Sequence, residues 1–104
     1  MIEFSKSFKK PQGKLLNLVV RVSNDCIIKD LVVSGDFFAY PPENIDELQS
    51  RIKGFNVCSE EILKQVIKVL SNTVLAGLEL SDFLSTLREV LNEGCRRCRE
   101  GVSK

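Results

Sequence analysis

The chain has 104 residues, 43% of them hydrophobic, which is enough for one core and short for two. Its 15 Lys and Arg against 14 Asp and Glu leave a net charge of +1, which argues against a general nucleic-acid binder with a clustered basic face. No apolar run approaches the roughly 18–20 residues of a membrane span, and Met1-Ile2-Glu3-Phe4-Ser5-Lys6 lacks the apolar stretch of an export signal, so a cytoplasmic protein is expected.

The first ten residues read as a polar, basic terminus, followed by a turn at Pro11-Gln12-Gly13. From Leu16 the apolar residues Leu16, Leu18, Val20 and Val22 recur with period two, the pattern of a half-buried strand. Ser23-Asn24-Asp25 supplies turn chemistry, and the β-rich run from Ile27 to Val33 follows at hairpin distance. Phe37 to Tyr40 predicts a short third strand. Pro41-Pro42 then opens a helix carrying Ile45, Leu48 and Ile52, which stops near Gly54. Ser59 is the expected N-cap of a second helix with Ile62, Val66, Val69 and Leu70 on one face, and Ser81 that of a third with Leu84, Leu87 and Leu91. Thr73 to Leu80 fits neither period. Strands first and helices after predict a single α+β domain over residues 1–104: a small antiparallel sheet, made of a hairpin plus a short third strand, covered by about three helices. Residues 93–104 read as a loose tail.

The most distinctive stretch is Leu31-Val32-Val33-Ser34-Gly35-Asp36-Phe37-Phe38. By itself it reads as strand, tight turn and strand: Gly35 supplies a positive φ, Asp36 satisfies loop amides, and the phenylalanines fill core. Phe37, Phe38 and Tyr40 alternate sides if extended, so one of the two phenylalanines is free to face a partner, as aromatics do at interfaces.

In its setting the stretch resembles a known family. Lys10-Pro11-Gln12-Gly13-Lys14, an apolar strand, a turn, Ser34-Gly35-Asp36-Phe37-Phe38, a Pro-opened helix and Gly54 are together similar to the C-terminal accessory domain of lipoate–protein ligases, matching from about Lys9 to Gly54. The family's first turn often reads Pro-Gly-Gly where this chain has Pro-Gln-Gly. The resemblance implies ATP-dependent activation of lipoate to lipoyl-adenylate, then acyl transfer to a lysine on a lipoyl domain. It also implies that ATP, Mg and lipoate are held by a large catalytic subunit, whose arginine pair, glycine-rich motif and essential lysine have no counterpart here. With Met1 only a few residues before the matching region, the accessory domain is expected as a separate polypeptide, forming a heterodimer with that subunit and meeting the lipoyl-domain acceptor indirectly. Lys10 and Lys14 are the candidates for approaching phosphate, Lys14 first because a strand follows it at once. The alternative is a solvated charged terminus. Ser34, Gly35, Asp36, Phe37, Phe38 and Tyr40 are the candidate motif turn and partner surface.

There is no histidine, which removes the commonest general base and metal ligand. Cys95-Arg96-Arg97-Cys98 spells a CxxC, while Cys26 and Cys58 stand alone, so a four-cysteine metal site needs an unusual convergence. Cys95 and Cys98 continue the stripe of Leu84, Leu87 and Leu91, so packing as small hydrophobes is the leading expectation, with a disulfide or a metal as alternatives. A rival function uses these thiols: an iron–sulfur or persulfide carrier on a related small α+β frame. A regulatory binding module without a ligase partner is a third possibility.

Overall fold

Alternation in β2 (Leu15–Val22) sets the architecture, because Leu16, Leu18, Val20 and Val22 all point to one face and none is more than 1% exposed. The computed structural model describes residues 2–11 and 13–102, with side chains as far as Arg99. β2 lies between β1 (Ile2–Lys9) and β3 (Ile28–Gly35) in an antiparallel sheet of order β1-β2-β3. Register places Phe4 opposite Val20 and Phe8 opposite Leu16 on one side, and Leu31 opposite Val20 on the other. The short strands β4 (Phe38–Tyr40) and β5 (Val74–Ala76) pair with each other in a separate antiparallel ribbon.

Three helices cover the buried face of the sheet: α1 (Glu43–Arg51) against β3, α3 (Leu80–Val102) across β1 and β2, and α2 (Glu61–Leu70) against both helices. α2 carries the expected stripe; in α1 the expected Ile45 is only partly buried, and in α3 Phe83 and Val90 take the core side while the expected Leu84 is only partly buried. Leu48 and Ile52, then Ile62, Val66, Val69 and Leu70, then Phe83, Leu87, Val90 and Leu91 join one core with the β2 residues. Gly94 lets α3 lie close to the sheet. A methyl group there would sit 3.1 Å from Val57 Cγ2 and 3.3 Å from Phe4 Cδ2, tighter than ordinary packing tolerates.

The α+β class and the β2–β3 hairpin are as expected, but several local expectations are corrected. The amino terminus is no polar arm; it forms β1, whose outward Glu3, Ser5, Ser7 and Lys9 mask the inward Phe4 and Phe8. The strand expected at Phe37 to Tyr40 forms, but it pairs with β5 instead of joining the hairpin. Residues 93–102, read as tail, continue α3, since Cys95 and Cys98 extend its buried stripe; Ser103 and Lys104 lie outside the described residues. Ser59 acts one position outside the expected boundary, its Oγ accepting the Glu61 N–H at 3.2 Å as the helix begins. Ser81 lies inside α3, and Asp82 closes the start of that helix by accepting the Glu79 N–H at 3.1 Å.

Gly35 has φ +147°, and a methyl group on it would overlap the Leu15 carbonyl oxygen. Gly35→Ala is therefore expected to lower stability by about 1–3 kcal/mol in a urea titration. A shift under 0.5 kcal/mol would mean the turn relaxes freely.

Candidate functional site at the turn end of the sheet

The β1–β2 turn and the C-terminal end of β3 are neighbours because register sets Leu16 opposite Gly35. The turn closes with Gly13 N–H donating to Lys10 O at 2.8 Å and Lys10 N–H to Lys14 O at 3.3 Å; Gln12 lies outside the described residues. Asp36 fastens the second turn to the first. Its N–H donates to Leu15 O at 3.2 Å, and its Oδ1 accepts the Leu15 N–H, the amide-satisfying role expected of it.

The two candidate lysines are placed differently. Lys10 Nζ lies 3.5 Å from Asp82 Oδ2 and 3.6 Å from Glu79 Oε1, so it clips the turn to the start of α3. Those carboxylates also suit a helix N-terminus, where the backbone dipole favours negative charge. Lys14 makes no ion pair with the described residues, and its aliphatic stem lies over Gly77, just past β5. Ser34, exposed, stands opposite Asn17 on the uncovered face of the sheet.

The aromatic residues divide by strand alternation. Phe37 packs partly buried against the core, whereas Phe38 and Tyr40 are 69% and 74% exposed. Register pairs Phe38 with Ala76 and Tyr40 with Val74, so these four share the outer face of the ribbon, and Val74 is 69% exposed. The β1–β2 turn, the Ser34–Phe37 turn and the ribbon thus meet at one end of the molecule, bringing Lys10, Lys14, Ser34, Gly35, Asp36, Phe37, Phe38 and Tyr40 into one region. Val74, Ala76, Glu79 and Asp82 were missed as members. Thr73-Val74-Leu75-Ala76 before Gly77 is a β-favouring run followed by a turn residue, a legible though short signal.

At the opposite end of the hairpin, Cys26 is bonded to Cys98 and Cys58 to Cys95. The expectation of packed free thiols is corrected: Cys95 and Cys98, three apart on one helix face, meet the β2–β3 turn and the segment after α1. The Cα–Cα separations of 5.9 Å and 4.9 Å lie within bridging range. No free cysteine remains among the described residues, so the thiols that the rival iron–sulfur or persulfide reading needs are already used. No cluster of three or more His, Cys, Asp or Glu able to hold a metal occurs among the described residues. The turn end thus brings together a cation, a hydrogen-bonded turn and an apolar face.

The architecture is that of a small α+β domain, and comparison with known proteins says of which kind. No family model matches the chain. It is 30% identical over 92 residues to lipoate-protein ligase A subunit 2 of Thermoplasma acidophilum, an alignment spanning 84% of this chain and 89% of that protein. The chain belongs to the family of that second subunit of lipoate–protein ligase A. The solved structure of an archaeal lipoylation system, a bi-partite lipoate protein ligase and its E2 lipoyl domain from the same organism, contains a chain with a similar fold. The TM-score is 0.68 at 28% identity, covering 83% of this chain and 94% of that one.

Two outcomes are expected for the cysteines. Peptide mapping without reductant finds Cys26 linked to Cys98 and Cys58 to Cys95; a Cys95–Cys98 link would contradict the fold. Reduction lowers stability by about 2–4 kcal/mol per bridge, read from denaturant midpoints with and without dithiothreitol.

Proposed function

We propose that this chain is the non-catalytic, accessory subunit of a two-part lipoate–protein ligase, acting with a separate catalytic subunit in the ATP-dependent activation of lipoate and the lipoylation of a lipoyl-domain lysine. The observation that carries this reading is the alignment over nearly the full length of a protein that is itself a second subunit. The reading assigns ATP, Mg and lipoate to the catalytic subunit, and to this chain a supporting surface at the turn end.

Lys14 is the residue we assign to the phosphate-facing role. Lys10 already has two carboxylate partners, whereas Lys14 has its stem over Gly77 and its ammonium without an ion-pair partner among the described residues. A cation fixed beforehand near developing phosphate charge stabilises it without reorganisation at the moment of reaction. Among the described residues no helix is long and apolar enough to cross a membrane. We place the protein in the cytoplasm on the strength of the ligase reading alone.

Reconstitution tests the reading. Mixed with the catalytic subunit from the same source, this chain is expected to be required for ATP- and lipoate-dependent modification of a lipoyl domain. A catalytic subunit fully active alone, neither binding nor responding to this chain, would falsify it. Within an active pair, Lys14→Met, which keeps the stem over Gly77 and removes the charge, should slow adenylate formation by at least about 10-fold at an unchanged melting temperature. Equal rates would remove Lys14 from the role.

A further inference from the structure

The β4–β5 ribbon combines two properties that do not normally coexist without a partner. A two-stranded ribbon is marginal in isolation, yet this one is held at both ends. At the Tyr40–Val74 end, Asn44 Nδ2 in the first turn of α1 donates to Thr73 Oγ1 at 2.8 Å, and Thr73 Oγ1 donates to Val69 O at 3.0 Å. At the Phe38–Ala76 end, the Lys14 stem lies over Gly77. Ala39 and Leu75, on the inner face, are half-buried. The outer face is left bare: Phe38, Tyr40 and Val74 are 69%, 74% and 69% exposed side by side. Order imposed on a contiguous apolar face is preorganisation for binding, since the ordering cost is met before the partner arrives.

Among the described residues the rest of the surface offers no equal. Ile2, Val32 and Ile67 are exposed singly, at 40%, 44% and 45%. Across the uncovered face of the sheet, Arg21 pairs with Glu3 at 3.1 Å and with Asp30 at 4.0 Å, and Lys53 with Asp30 at 3.6 Å, a row of charge that favours water.

We infer that the outer face of the ribbon, centred on Phe38, Tyr40 and Val74, is the surface on which the catalytic subunit of the ligase seats. This rests on the two-part reading above and adds where the parts meet. Kinship with a second subunit supplies the occupant. Position supports it, because the same ribbon ends against Lys14, so a partner seated on the apolar face has that cation at the edge of the contact. Aromatic residues with few rotatable bonds are the usual anchors of such an interface.

Calorimetric titration of the catalytic subunit with the wild-type chain and its variants tests this. Phe38→Ser with Tyr40→Ser is expected to weaken Kd by roughly 100-fold, and Val74→Ser by about 10-fold. Val32→Ser and Ile67→Ser are expected to bind as wild type, and the exposure of all five positions predicts unchanged circular dichroism and melting. Hydrogen exchange on the unaltered pair gives a reading independent of variant folding: the amides of 38–40 and 74–76 should slow on mixing. If the wild-type pair binds tightly while ribbon variants bind equally well and exchange at the ribbon is unchanged, the surface is misassigned and the two-part reading stands. If the wild-type chains do not associate, the two-part reading falls and takes the surface with it. Self-association of this chain that the ribbon variants abolish, with affinity for the catalytic subunit intact, would give the face to a second copy and overturn the proposal.

Discussion

Every other feature of this fold depends on covering one face of β2. Leu16, Leu18, Val20 and Val22 are all but removed from water, and burial of side chains of this size is worth about 1.5–3 kcal/mol each. No single helix is wide enough for the task. α3 therefore crosses β1 and β2, α1 takes the β3 side, and α2 fills between them. Gly94 follows from the same demand, since a side chain there would hold α3 away from Phe4 and Val57.

α3 is fastened at both ends by different chemistry. Its start is held to the β1–β2 turn by the Lys10 ion pairs with Glu79 and Asp82, which are partly exposed and hence modest in strength and sensitive to salt. Its far half is held by two disulfides that close 72- and 37-residue separations. A domain of this size buries a limited share of its surface, and covalent cross-links are one of the remedies open to it. The strong fastening lies away from the candidate site, and the weak one beside it.

Under the proposed accessory role, the chemistry gathered at that end is what this subunit would bring to the ligase. Asp36 locks two turns together, Lys14 stands without an internal partner among the described residues, and the ribbon presents apolar side chains. Each is positioned by backbone pairing that the core has already stabilised. Function in such a subunit is a matter of placement.

How much of this was legible beforehand follows the range of the interactions involved. The β2–β3 hairpin, the stripes of the three helices, the positive φ of Gly35 and the amide-satisfying role of Asp36 are all local: periodicity and turn chemistry over a few residues dictate them. β1 was obscured because Lys6 interrupts its inward alternation, and only pairing with β2 reveals Phe4 and Phe8 as core. The partner of β4 was invisible because β5 lies beyond two helices, and three residues of alternation carry too little signal. The pairing of Cys95 and Cys98 with Cys58 and Cys26, instead of with each other or with nothing, depends on where α3 lands. By itself the sequence determined the α+β class, the helix faces and the resemblance at residues 9–54. Only the tertiary structure decided which lysine is already paired, which aromatics are left outside, and that both turns and the ribbon share one end. Those are contacts between segments distant in the chain, and no local preference encodes them.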